Sequence, residues 1–375
     1  METKLPIVID NGSDNIYAGY AGKEEPTYCL KNITGKPKKN MKDMLDNDFY
    51  ISKEALNKSG VLDLKKPIEN GIITDWINME KIWKHLFTEL IPENNIQETN
   101  VFLTEAPFTP KDKKEEMTEI MFENFNVPAM YTAIQAVLSL YASGRTSGLV
   151  LDSGADVTCS VAVYEGYAVP SATFIVPGIS GNDITNYMMR KFQDKKYSLT
   201  TVAERDIVNE IKEKKCYIAN DINFEKEKQS VSETTYKLPD GESICLGEEK
   251  YMAPEIMFNP MITDLEIDGV QKYVLKSIKN TPYKEREILC NNLIIAGGNT
   301  MFSGFTNRLM KELTPLVNPF VPNNVNIKMI APQKRYMSSY VGGSILASLS
   351  SFKNLWITKS EYEEQGASIV HRKCF

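Results

Sequence analysis

One strand–turn–strand pattern occurs twice in this chain, and the repeat limits the folds open to it. Ile7-Val8-Ile9-Asp10-Asn11-Gly12-Ser13 and, about 140 residues later, Leu149-Val150-Leu151-Asp152-Ser153-Gly154-Ala155 are short apolar runs closing on Asp-x-Gly-small. Runs of this length, bounded by a turn, are the mark of buried strands. Ile16, Ala18 and Tyr20 follow the first at period two, and Val157, Cys159, Val161 and Val163 follow the second. Each turn therefore leads into another strand. Two such units about 140 residues apart imply a duplicated α/β core.

Helical spacing fills the intervals. Met79, Ile82, Trp83, Leu86 and Leu90 predict a helix over 78–90, and further helices are expected over 111–125, 133–143 and 204–219. A third strand, Leu293-Ile294-Ile295, runs into Ala296-Gly297-Gly298 and a helix carrying Phe305, Leu309 and Leu313. Alternating strands and helices place ligand sites at strand ends. The polar stretches 36–48 and 225–235 read as exposed loops.

The chemistry follows from the turns. Glycine lets the backbone approach a phosphate and offer it N–H groups, and an aspartate at a strand end can hold a divalent cation, directly or through water. Two facing turns would clamp a nucleotide tail, with Gly297-Gly298 as a third wall. One Asp-x-Gly alone is better explained as an ordinary turn, and the repetition with matching strands brings the phosphate reading level with that one. Other chemistries find little support. The two histidines, His85 and His371, make no triad with a nucleophile in sight. Neither a P-loop nor a G-x-G-x-x-G fingerprint is present. Cys29, Cys159, Cys216, Cys245, Cys290 and Cys374 form no C-x-x-C pair, as in a reduced intracellular chain. A net charge of −6 gives no general attraction for nucleic acid. No apolar run approaches a membrane span, so no membrane insertion is expected.

The residues then become recognisable. Ile9-Asp10-Asn11-Gly12-Ser13, Leu103-Thr104-Glu105-Ala106-Pro107, Asn126-Val127-Pro128-Ala129-Met130-Tyr131 and residues 133–146 resemble actin. So do Tyr164-Glu165-Gly166-Tyr167-Ala168, Leu238-Pro239-Asp240-Gly241, residues 342–350 and residues 369–375, and together these runs span the chain. The resemblance implies an α/β, actin-like ATPase fold, in which two lobes with a duplicated RNase H-like core surround a central nucleotide cleft. It implies an outer lobe of 1–31, 68–142 and 338–375 with a small subdomain at 32–67, and an inner lobe of 143–179 and 270–337 with a subdomain at 180–269. The implied ligand is ATP or ADP with Mg2+ or Ca2+. The implied setting is the cytoplasmic cytoskeleton, in filaments of the chain itself or with conventional actin.

Carried over residue by residue, the resemblance places nucleotide contacts at Asp10, Gly12, Ser13, Gly154, Val157, Gly181, Lys212, Glu213, Gly298, Met301 and Phe302. It places the metal near Asp10, Gln135 and Asp152, and the water-directing roles on Gln135 and Asp152. The pattern breaks at six positions of the same site. A lysine is replaced by Tyr17, two turn-ending glycines by Asp14 and Asp156, an acidic residue by Ala155, a histidine by Cys159 and a lysine by Tyr336. A carboxylate about 4 Å from a phosphate costs about 4 kcal/mol at an effective dielectric of about 20. The expectation is therefore weakened ATP binding and slow hydrolysis, unless the two aspartates turn aside or recruit a cation. The resemblance also implies a cleft for regulator helices at Tyr141, Ala142, Gly144, Thr146, Glu165, Leu346, Leu349 and Leu355. Implied filament contacts fall on Lys38–Asp48, with Met41, Met44 and Leu45, and on Asn259–Val270, where Asp264, Glu266 and Asp268 dilute an apolar plug. The family's modified histidine is Asn70. Two other readings remain: a nucleotide-silent scaffold subunit of a larger complex, and a small-molecule kinase of the same superfamily, which the actin-like tail disfavours.

Overall fold

The computed structural model describes residues 4–41, 45–91, 95–197, 199–227, 234–238, 241, 243–322 and 325–374. The chain forms two compact units. One comprises Met1–Val150, Val163–Val169 and Met337–Phe375, and the other comprises Leu151–Ala162 and Pro170–Tyr336.

The first unit is built on a six-stranded sheet. Its strands lie in the order Ile357–Thr358, Ala129–Ile134, Val101–Glu105, Ile7–Asp10, Asn15–Tyr20, Tyr28–Lys31. Ile7–Asp10 runs parallel to Val101–Glu105 and antiparallel to Asn15–Tyr20, as the first strand–turn–strand motif requires. A five-stranded sheet, carried mainly by the second unit, has the order Tyr167–Val176, Thr158–Tyr164, Gly148–Ser153, Leu293–Ala296, Met329–Ile330. In each sheet the motif's first strand has its hairpin partner on one side and a later strand on the other. The duplicated α/β core read from the two apolar runs is thus present as a duplicated strand order.

The central strands are buried throughout because helices cover the sheets. Ile7, Val8, Ile9, Phe102 and Leu103 are fully buried. Helix Ser338–Ser348 lies so close that a Cβ on Gly343 would stand 3.1 Å from Val8 and 3.2 Å from Phe102. Gly342 has a backbone neighbour instead: its Cβ would stand 1.8 Å from the Leu138 carbonyl oxygen. The adjacent glycines at 342 and 343 therefore set the approach of this helix to the helix Gln135–Ala142 and to the sheet.

The structure corrects several boundaries. The helix expected over 78–90 begins at Trp76, where Asp75 caps it by accepting from the Asn78 amide. Residues 133 and 134, read as helical, close the strand Ala129–Ile134, and the helix starts at Gln135. Apolar character alone cannot separate a buried strand end from a buried helix start. Residues 225–227, read as loop, end the helix Ile222–Glu227, and residues 234–235 begin a strand; 228–233 lie outside the described residues. Among the described residues no helix is long and apolar enough to cross a membrane.

Candidate functional site

In the first unit the turn after Ile7–Asp10 gathers a polar network within an apolar sheet. Asp10 is 5% exposed, and its Oδ1 accepts from Thr104 Oγ1 at 2.7 Å and from Gln135 Nε2 at 2.9 Å. Burial pushes the Asp10 carboxyl above its usual range, while the two hydrogen bonds pull part of the way back. Asn11 donates its amide to Thr104 Oγ1 at 2.9 Å and accepts from the Trp83 indole at 3.1 Å. Gln135, first residue of its helix, thus reaches the turn through its amide nitrogen. Gly12 is required locally, because a Cβ there would stand 2.2 Å from the Asn15 carbonyl oxygen.

Asp14 is not a bare charge at this turn. Its Oδ2 accepts from Lys31 Nζ at 2.7 Å, and its Oδ1 lies 3.4 Å from Lys66 Nζ. Burial raises its pKa, but the charges and hydrogen bonds of both lysines outweigh that and hold it below the usual value. Asn32 closes the arrangement by donating its side chain to the Gly12 carbonyl at 2.9 Å and its amide to the Asp14 carbonyl at 2.8 Å. The amides of Ser13 and Asp14 donate to no acceptor among the described residues. Tyr17 is half-buried against the core, opposite Asp10 on one side and Cys29 on the other.

In the second unit three segments distant in sequence meet. The Gly181 amide donates to the Gly154 carbonyl at 3.0 Å, and the Asn182 amide to the Ala155 carbonyl at 2.8 Å. These are the first residues of helix Gly181–Asp194, so the second turn sits on that helix N-terminus. Asn299 donates to Ser153 Oγ at 3.2 Å and to the Gly154 carbonyl at 3.0 Å, which adds the third segment. Lys212, 5% exposed, donates to the Gly181 carbonyl at 2.9 Å and to Thr185 Oγ1 at 3.0 Å. Glu213 points outward and accepts from Asn209 at 3.0 Å. Gly297 has a φ of +87°, and its amide donates to the Arg335 carbonyl at 3.0 Å. Arg335 Nε also donates to Thr300 Oγ1 at 2.8 Å, so Tyr336, 41% exposed, stands beside the Gly298–Met301 turn. Met301 is exposed and Phe302 buried.

Asp156 accepts a hydrogen bond from the Asn182 side chain, so this carboxylate too has a partner inside its own unit. Cys159 is buried, and burial together with the Asp152 charge pushes its thiol well above the ordinary value. It is therefore a neutral thiol at pH 7. Ala155 is hydrogen-bonded only through its main chain, and Val157 returns its carbonyl to the Gly154 amide at 2.8 Å.

Two observations bear on whether a nucleotide and a cation fit. A Cβ built on Gly298 meets nothing within 4 Å, and one on Gly154 meets only the Val157 carbonyl at 3.5 Å. Both glycine faces are open, as close approach by a ligand requires. Among the described residues no three His, Cys, Asp or Glu side chains gather as a metal cage. The open glycine backbone fits a phosphate.

The residues expected to receive regulator helices all belong to the first unit. The Gly166 amide donates to the Thr146 carbonyl at 2.7 Å, and a Cβ on Gly166 would strike the Tyr141 hydroxyl at 2.2 Å. Glu165 adopts a φ of 49°, and its amide donates to Ser147 Oγ. Gly144 and Thr146 are exposed, Ala142 and Leu346 half-buried, and Leu349 and Leu355 exposed at 47% and 42%. Elsewhere, Leu45 packs on the small core of Ile33, Tyr50, Ala55 and Leu62, so it already has an intramolecular contact, while Met44 lies outside the described residues. In the second unit Met261 is 67% exposed, a Cβ on Gly178 would meet Leu265 at 3.0 Å, and Asp268 is paired with Lys272 and Lys276.

Sequence reasoning named Asp10, Gly154, Gly181 and Gly298 as site candidates and did not name Thr104, Asn11, Trp83, Asn299, Lys31 or Lys66, which the structure joins to these turns. Asn11 and Thr104 lay inside recognised stretches. The two lysines gave no signal, standing 17 and 52 positions from Asp14.

A duplicated sheet with a glycine turn at the end of each first strand defines a class: α/β proteins built on a repeated strand–turn–strand core. A family model for actin matches residues 1–375, the whole chain, and the chain belongs to the actin family.

Proposed function

We propose that this actin-family chain binds ATP or ADP with Mg2+ or Ca2+, exchangeably and with slow hydrolysis, and joins helical filaments of itself or of conventional actin. The observation that carries the reading is the joining of residues 152–157, 181–182 and 297–299 by hydrogen bonds in the second unit, with open glycine faces. Such a surface has little purpose in a protein that binds no phosphate-bearing ligand.

In this reading Gly154, Val157, Gly181 and Gly298 approach the ligand by backbone, as do Gly12 and Ser13 in the first unit. Lys212, Glu213, Met301 and Phe302 border the nucleoside. Asp10, Gln135 and Asp152 are the residues that the family resemblance assigns to the cation, which would neutralise phosphate charge. Because the Gln135 nitrogen is committed to Asp10, its oxygen is the atom left to orient a water. A neutral Cys159 thiol offers that water poor proton transfer, which keeps hydrolysis slow. Asp14 and Asp156, counted from sequence as uncompensated charges, each have a partner, so the site is altered rather than abolished.

The four-part division expected from sequence is supported for 32–67 by its separate core and three-stranded sheet. The exposed Leu349 and Leu355 suit an amphipathic helix. A charged 259–270 segment weakens lateral filament contacts, because burying unpaired Asp264 or Glu266 is costly. The setting is cytoskeletal. Sedimentation under polymerising salt, with Mg-ATP and with or without conventional actin, tests the proposal: the chain should pellet, more efficiently in copolymer. A chain that stays in the supernatant in both arms contradicts it.

A further inference from the structure

The sequence holds two Asn-Gly dipeptides, Asn11-Gly12 and Asn70-Gly71, and the fold treats them in opposite ways. Glycine has no Cβ to shield its amide nitrogen from the carboxamide of the residue before it, so either pair could close a ring if its groups were free. At the first pair they are tied. Asn11 is 7% exposed, its Nδ2 donates to the Thr104 carbonyl at 3.2 Å and its Oδ1 accepts from the Trp83 indole. The Gly12 amide donates to the Asp10 carbonyl at 3.1 Å.

The second pair is the tip of a hairpin in the first unit. Strands Ile68–Glu69 and Ile72–Ile73 run antiparallel, with Ile68 opposite Ile73 and Glu69 opposite Ile72. Asn70 has a φ of 50° and Gly71 a φ of 76°, the two left-handed residues of a type I′ turn. Asn70 is exposed. Among the described residues its side chain makes no hydrogen bond, and the Gly71 amide donates to no acceptor. Ring closure requires the peptide plane between residues 70 and 71 to turn out of the I′ geometry. Only the outer pair, Glu69 with Ile72, has to open for this, while Ile68 and Ile73 stay buried.

We propose that Asn70 is a site of spontaneous modification, converted by water to aspartate and isoaspartate. The Gly71 nitrogen gives its proton to hydroxide and attacks Asn70 Cγ. The N–Cγ bond forms as the Cγ–Nδ2 bond breaks, and the carboxamide nitrogen takes a proton from water and leaves as ammonia. Water then opens the five-membered succinimide at either of its carbonyls. Opening at one leaves aspartate, and opening at the other leaves isoaspartate. In sum one carboxamide and one water become one carboxylate and one ammonium ion, with nothing oxidised or reduced. Isoaspartate carries the main chain through its side-chain carbon. It therefore lengthens the wall that Gly71, Ile72 and Ile73 contribute to a cavity shared with Trp76, Lys113 and Met117. Each conversion also adds a negative charge next to Glu69. The change runs one way, so the converted fraction records the time since synthesis.

Peptide mapping by mass spectrometry tests this on the full chain. The folded protein is incubated in heavy-oxygen water and digested in ordinary water, so that only conversion during the incubation carries the label. The peptide with Asn70 should exchange NH for labelled O at least about tenfold faster than the peptide with Asn11, whose groups react only after a larger opening. In urea the two sites should label within about threefold of one another, because the fold no longer distinguishes them. Fragmentation should find isoaspartate among the products at residue 70. Asn70→Gln, with one more methylene between carboxamide and backbone, should leave that peptide unlabelled. Three results overturn the proposal: Asn70 unlabelled in the folded chain while both sites label in urea, Asn11 labelled as fast as Asn70 in the folded chain, or aspartate formed at residue 70 with no isoaspartate, which would mean direct hydrolysis of the side chain and no ring.

Discussion

Gly297→Ala is the substitution whose effect the structure fixes best. Gly297 has φ +87° and ψ 153°, a region open essentially to glycine alone. A Cβ there would stand 2.2 Å from the Ser153 carbonyl oxygen and 2.4 Å from Asp152 Oδ1. The backbone conformation costs roughly 1–3 kcal/mol, and displacing a packed carbonyl and a carboxylate adds about 1–3 kcal/mol. A total near 4 kcal/mol lowers the melting temperature of a unit this size by about 8–16 °C. The neighbouring Gly298→Ala is the control, because its Cβ meets nothing within 4 Å. It should change stability by no more than about 0.5 kcal/mol, yet weaken nucleotide binding by filling the open face. Differential scanning calorimetry and an Mg-ATP titration of both variants separate the effects. A Gly297→Ala protein melting within about 2 °C of the parent, or a Gly298→Ala protein equally destabilised, would refute the reasoning.

Trp83→Phe removes the indole donor from buried Asn11 and should cost about 1–3 kcal/mol in urea unfolding, because an acceptor is left unsatisfied. Asp14 has a lowered pKa, so its contribution to stability is present above the unfolded value, near 3.8, and is lost as pH falls through the folded value. An acid titration followed by circular dichroism should accordingly show a smaller stability loss below about pH 4 in Asp14→Asn than in the parent. Cys374 is buried with its thiol pushed up to about 12, whereas Cys29 is exposed, so mass spectrometry after brief maleimide treatment should find Cys29 modified first. Tyr336→Ala, beside the Gly298–Met301 turn, should weaken ATP and adenosine alike by roughly 1 kcal/mol if the ring stacks on the base, which the same titration reads directly.

The parts of this molecule that are legible in sequence are those whose pattern is local. Ile7–Asp10 and Gly148–Ser153 announce buried strands because both faces are covered and the apolar run has nowhere polar to face. Asp-x-Gly marks the turns because Gly12 must clear the Asn15 carbonyl. What sequence concealed was pairing at a distance. Asp14 and Asp156 read as repulsive charges because a carboxylate's field depends on its neighbours, and Lys31, Lys66 and Asn182 are supplied by other segments of the fold. The same holds for Ala133 and Ile134, whose burial suits a strand end or a helix start and whose assignment depends on pairing with Thr104 and Glu105.

Equilibrium titration of the full chain with Mg-ATP, after extensive desalting, addresses the central claim most directly. The expected result is saturable one-to-one binding, competed by ADP, in a protein that carried little nucleotide through desalting. Absence of binding at millimolar Mg-ATP would contradict the account, as would stoichiometric nucleotide that desalting cannot remove.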